Sequence, residues 1–212
     1  MWVLALALLA VAPRPSSEGR PLFYWGARPP LLQVQGSAAP GPEAQVVEVH
    51  AAFDRGDLVL RLTFDRPLRE AVALPDGTPV SGRLRAVLYM DTDDNRRTGY
   101  QAGPDDLLTG SEQRLEVGAI SVGEDPEEER PAESLLAATL VSLSPEGRRR
   151  TVWRADDQAE PGRLSRHGEW VELRLPADLV QAGPGTRLVL AQAPRPLAAR
   201  LGSEAGRETK RP

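Results

Sequence analysis

The feature that most constrains this chain is an alternation of period two. From Gln45 to Phe53, the residues Val47, Val49, Ala51 and Phe53 alternate with Val46, Glu48 and His50. Asp54-Arg55-Gly56 follows, placing a glycine where a tight hairpin loop wants a positive φ. Leu58, Leu60, Leu62 and Phe64 then alternate with Val59, Arg61 and Thr63. Side chains two residues apart share one face of an extended chain, so each stretch presents an apolar side. A helix would instead need its apolar positions three and four apart. The pattern predicts an antiparallel hairpin covered on one side.

Further extended segments are expected at Leu84 to Met90, Gln113 to Val122, Leu135 to Leu143, Arg149 to Arg154, Glu169 to Leu175 and Thr186 to Gln192. The Ala-Leu content of Leu135 to Leu143 suits a helix equally well. Asp76-Gly77, Ser81-Gly82 and Pro145-Glu146-Gly147 read as turns, and Pro176-Ala177-Asp178-Leu179 as one helical turn opened by proline. Twenty prolines and nineteen glycines break the chain into short pieces, with no long helical pattern among them. Short strands of this kind predict an all-β fold, an antiparallel two-sheet β-sandwich rather than a barrel.

The two ends read differently. Met1 to Ala12 is an apolar run too short to span a bilayer, and it closes on small residues like a secretory signal peptide. Residues 13–42 are rich in Pro, Gly, Ser and Ala and read as a linker or loosely docked segment, with an apolar island at Leu22-Phe23-Tyr24-Trp25. The sandwich is expected over 43–196, followed by a disordered tail over 197–212. Once the signal is removed, the chain is not expected to span a membrane, and its expected location is secreted or periplasmic.

Charge and cysteine usage exclude several classes. Twenty-six basic and thirty acidic residues are interspersed, so no cationic stripe exists to track a phosphate backbone, and nucleic acid is excluded as a partner. With no cysteine, the chain has no disulfide, thiolate metal site or cysteine nucleophile. His50 and His167 stand without a nucleophile motif, and Gly-x-Ser-x-Gly, His-Glu-x-x-His and phosphate-binding glycine loops are missing. The chain reads as non-catalytic.

The segment richest in chemistry runs from Asp91 to Tyr100, directly after an apolar strand. Asp91, Asp93 and Asn95 have the alternate spacing of oxygen ligands, and calcium, a hard cation, takes six to eight oxygens. An EF-hand is excluded, because Arg96 and Ala102 stand where its glycine and glutamate belong. Asp105, Asp106 or Glu112 would complete a different calcium shell. The competing reading is an acidic loop that caps its own backbone, with Arg96 and Arg97 balancing the charge. The acidic run from Glu124 to Glu129 reads as a solvated loop. Trp170, Trp153 and Tyr100 are candidate ligand-stacking residues; Trp170 is notable because alternation puts it on the polar side of its strand.

Several of these segments occur together in a familiar order. Asp57-Leu-Val-Leu-Arg-Leu-Thr-Phe64 precedes Val87-Leu-Tyr-Met-Asp-Thr-Asp-Asp-Asn-Arg-Arg-Thr-Gly99; Gly110 to Val117 and Trp170 to Leu179 follow. Together they resemble the β-sandwich domains related to family 9 carbohydrate-binding modules and DOMON domains, over about Gln45 to Ala193. In those domains an Asp-x-Asp-x-Asn-x-x-Thr-Gly loop follows a central strand, and a strand ending in proline and a helical turn comes near the end. The resemblance implies a jelly-roll-like sandwich, export, and a role in binding sugar, a cofactor or another surface. Gly110-Ser111-Glu112 departs from the related Gly-x-Asp, and His50 and Met90 lie on different strands, which disfavours haem. The expected function is an exported binding module for a polysaccharide or envelope component, with a calcium-stabilised loop. The alternative is a structural envelope protein with no small-molecule ligand.

Overall fold

A computed structural model describes residues 19–34, 44–68, 84–103, 106–122, 133–157, 159–191 and 196–202. The expected signal peptide, the turns at Asp76 and Ser81 and the acidic run from Glu124 lie outside them. Strands β1 (Leu32–Gln33), β2 (Val46–Asp54), β3 (Asp57–Phe64), β4 (Arg85–Asp91), β5 (Gln113–Val122) and β6 (Glu133–Leu143) come first. After them come β7 (Arg149–Asp156), β8 (Leu164–His167), β9 (Trp170–Leu175), the helical turn α1 (Ala177–Val180), β10 (Arg187–Leu190) and β11 (Leu197–Arg200). They form a five-stranded sheet ordered β1-β2-β3-β9-β8 and a six-stranded sheet ordered β11-β10-β4-β5-β6-β7. Every pairing within the two sheets is antiparallel. The chain is an all-β, two-sheet sandwich.

Alternation builds the core as expected on β3, where Leu58, Leu60, Leu62 and Phe64 are buried. Opposite them on β9 stand Leu175, Leu173 and Val171. The facing sheet contributes Leu88 and Met90 from β4, Leu115 and Val117 from β5, and Leu136, Ala138 and Leu140 from β6. The segment around Leu135 is a strand: its alanines pair across β5 and β7 instead of lining a helix. Tertiary pairing has overridden a propensity that was neutral.

Two expectations need correction. On β2, Val46 lies opposite Phe64 while Glu48 lies opposite Thr63, so Val47 is the extra residue of a β-bulge. The bulge turns Val46, not Val47, into the core. At the other end, residues 197–200 form β11 in place of the start of a disordered tail. This strand closes one edge of the six-stranded sheet by pairing with β10, and Leu201 beyond it is buried. Residues 203–212 lie outside the described part.

Asp157 ties the two sheets together at one end. Its Oδ1 accepts from the Leu136 backbone N–H at 3.1 Å, and Oδ2 lies 2.8 Å from Nε of Arg166 on β8. The Arg166 contact is an ion pair whose N–H points off the line of a hydrogen bond. Burial pushes the Asp157 carboxyl above its ordinary value of 3.8, against the pull of Arg166 and the Leu136 N–H. Among the described residues no helix is long and apolar enough to cross a membrane.

Leu88→Ala should cost about 2–5 kcal/mol in urea unfolding, since its side chain is sealed between the sheets. A carboxyl with a raised native value holds its proton longer when folded, so its contribution to stability falls as pH rises from 3.8 through the raised value. Asp157→Asn should therefore flatten the decline in stability over that range, read as the wild-type minus variant difference in unfolding free energy.

Candidate functional site

The alternation that buries Leu88 and Met90 turns Tyr89 and Asp91 to the outer face of the six-stranded sheet. Asp91 ends β4, and Glu112, whose N–H donates to the Met90 carbonyl at 3.0 Å, stands immediately before β5 beside it. The chain between them folds back on itself, with Tyr100 bridged to Ser111. Gly99 makes that closure possible: at φ +58° its missing Cβ would lie 2.5 Å from the Ser111 carbonyl oxygen. The glycine of the Thr-Gly pair is thus required by backbone contact.

Carboxylate oxygens of Asp91, Asp93 and Glu112 come within 4.8 Å of one another. Asp91 is fully buried. Its Oδ2 accepts from Arg187 Nε at 3.1 Å and Nη2 at 2.9 Å, while Oδ1 has no hydrogen-bond partner among the described residues. Arg187 also donates to the carbonyls of Leu107 and Thr109, each at 2.7 Å, which clamps the far side of the loop onto the same guanidinium. Arg187 balances one of the three carboxylates and leaves an excess of two negative charges.

Thr98 sits at the centre of the cluster. Its hydroxyl oxygen lies 3.0 Å from both Asp93 oxygens, 2.9 Å from Glu112 Oε1 and 2.7 Å from the Asn95 carbonyl. One hydroxyl proton satisfies only one of these acceptors at a time. Glu112 also accepts from Thr92 N–H at 2.8 Å. Burial raises the Glu112 carboxyl above the ordinary glutamate value, and the nearby Asp93 and Asp91 charges add to the rise, against hydrogen bonds from Thr92 and Thr98. The pocket has more acceptors than protons to fill them.

The candidate metal ligands divide. Asp91 and Asp93 come together with Glu112, whereas the Asn95 side-chain oxygen accepts from the Arg97 N–H at 3.1 Å. Asp93 Oδ1 likewise accepts from the Asn95 N–H at 2.9 Å, so the loop does cap its own backbone. Of the two arginines expected to balance the loop's charge, Arg96 and Arg97, Arg96 reaches the Asp106 carbonyl; Arg200 of β11 pairs with Asp94, holding that exposed carboxyl below its ordinary value. Asp105 lies outside the described residues. Beside the loop, Arg96, Gln101, Gly103 and Thr109 line an open cleft of about 450 Å3.

The three candidate aromatics are not brought together. Trp170 lies on the outer face of the five-stranded sheet, half-buried, with the Arg61 guanidinium 4.5 Å above its ring and His167 at 5.2 Å. Trp153 turns inward and packs against the core, opposite Leu140, so it serves the interior. Tyr100 rests on the β6–β7 turn, where a Cβ on Gly147 would approach its ring to 2.9 Å. Arg187 was not anticipated from the sequence. It stands 96 positions from Asp91 with no motif around it, and only the β4–β10 pairing joins them.

Arg187→Ala would strand a fully buried carboxylate, and should cost about 3 kcal/mol or more in chemical denaturation. Asp91→Asn should cost less, because Arg187 keeps its two carbonyl partners. A scan against protein-family models, a search of curated proteins and a search of solved structures each find no match for this chain.

Proposed function

We propose that this chain is an exported, non-catalytic binding module whose loop end is organised by a calcium ion held between Asp91, Asp93 and Glu112. The observation that carries the reading is Asp91 Oδ1, a buried carboxylate oxygen with no donor among the described residues, in a cluster of three carboxylates. Arg187 pairs the Asp91 charge through Oδ2, but a buried Oδ1 left without a donor still carries a desolvation cost, which a cation beside it removes. The all-oxygen donor set suits a hard ion, and two uncompensated charges suit a divalent one. Asn95 stays a backbone cap in this reading, and Glu112 takes the third ligand position.

Calcium would brace the loop that borders the cleft at Arg96, Gln101 and Thr109. Leu107, 39% exposed, adds an apolar element nearby. The ligand class, a polysaccharide, follows from the resemblance to carbohydrate-binding sandwiches. The second reading, a structural envelope protein without a small ligand, draws support from the hydrogen bonds by which Asp93, Asn95 and Gln101 close the loop on its own backbone.

At calcium about a hundredfold above its dissociation constant, binding to the native state alone adds about 2.7 kcal/mol. For a domain of this size that is a rise of roughly 5–10 °C in melting temperature after chelator treatment. Asp91→Asn and Glu112→Gln should abolish the rise, and magnesium should give less of it. No shift at millimolar calcium would favour the structural reading. Depletion of the calcium-loaded protein by insoluble polysaccharides tests the ligand class, and retention on none of them would remove it.

A further inference from the structure

The segment Gly19–Trp25 crosses the outer face of the five-stranded sheet, at the opposite side of the sandwich from the acidic loop. We propose that this face is a peptide-binding groove, occupied here by the chain's own arm and able to exchange that arm with a second copy of the chain. Recognition of the arm is mostly recognition of backbone. The Leu22 N–H donates to Glu172 Oε2, and the Leu22 carbonyl accepts from Arg174 Nη2 at 2.9 Å. Ser165 Oγ donates to the Arg20 carbonyl at 2.8 Å, and the Gly19 N–H to the Arg166 carbonyl at 2.9 Å. Such contacts hold an extended peptide whatever it is tethered to.

Specificity comes from the indole. Trp25 is 5% exposed, packed on Ala52 and Val59, with its Nε1–H donating to Glu172 Oε1 at 2.5 Å. Arg61 stacks on it at 5.4 Å and on Trp170 at 4.5 Å, joining anchor and groove wall. Glu172 is fully buried, and among the described residues its donors are the arm's two groups and Arg61. A carboxylate sealed by a segment from the far end of the chain marks a site built to receive donors from a peptide. A buried charge of this kind favours the one register that satisfies it. Every contact is the same whether the arm comes from the same chain or another, so the choice is set by tethering and protein concentration.

The first probe is a labelled peptide of residues 19–26, titrated into the wild-type protein and into Trp25→Ala. The variant weakens its own arm but keeps the groove, so it should bind saturably and at least about tenfold more tightly than wild type. A folded variant that shows no saturable binding, or a wild type that binds equally well, overturns the proposal. Should Trp25→Ala fail to fold, cysteines decide it in an otherwise cysteine-free chain. A Cβ at Gly19 would stand 3.1 Å from that of Ser165, so a shift of about 0.4 Å in the arm brings the pair into the disulfide range. Gly19→Cys and Ser165→Cys proteins, mixed at high concentration and oxidised, should form a linked heterodimer beyond the homodimer background of either alone. Linkage no higher than that background overturns arm exchange.

Discussion

The structure depends on the two-residue repeat of the pleated strand, because it commits every strand to an inner and an outer side. Each residue sent inward puts its neighbour outward, and on β9 and β4 one such neighbour is a carboxylate that is itself buried. Glu172 stands between Val171 and Leu173; Asp91 follows Met90. Neither remains in water, and both are fully buried. The rest of the molecule is arranged around what covers them: the N-terminal arm over Glu172, and the folded loop with Arg187 over Asp91.

The two buried charges are met in different ways. Both oxygens of Glu172 are met, Oε2 by the Leu22 N–H and Oε1 by the Trp25 indole and the Arg61 guanidinium. Asp91 is half served, with Arg187 on one oxygen and, among the described residues, no donor on the other. Apolar substitutes would stabilise such positions as well or better, so buried pairs of this sort specify geometry more than they add stability. At Glu172 the geometry specified is the path of the arm. At Asp91 the half-served carboxylate stands with those of Asp93 and Glu112 around a hydroxyl that has one proton to share, and the proposed calcium ion rests on that arrangement.

Much of the sandwich was legible in the residues. The Leu58 to Phe64 run had only one low-cost solution, and its partner Trp170 to Leu175 carried the same alternation. The β2 bulge was hidden because Val46 and Val47 are interchangeable in a hydrophobic pattern. β11 was hidden because Leu197-Ala-Ala-Arg200 is too short and too bland to alternate visibly, and its strand character comes from pairing with β10. Asp91 and Asp93 stood out by spacing alone. Asn95 looked equivalent to them, yet an amide two residues before a free N–H caps it at little cost. Arg187, Glu172 and the arm that covers it are long-range partners, which no local window reveals. Trp153 misled for a simpler reason: the register change between Leu140 and Val141 governs which way β7 faces, and it has no local signature.

The most direct test is a crystal structure of the chelator-treated protein grown again in millimolar calcium, with anomalous scattering recorded. The account predicts one ion between Asp91, Asp93 and Glu112, with Asp91 Oδ1 at about 2.3–2.6 Å from it. An Oδ1 that instead meets a protein donor or a water, with no ion beside it, would contradict the account.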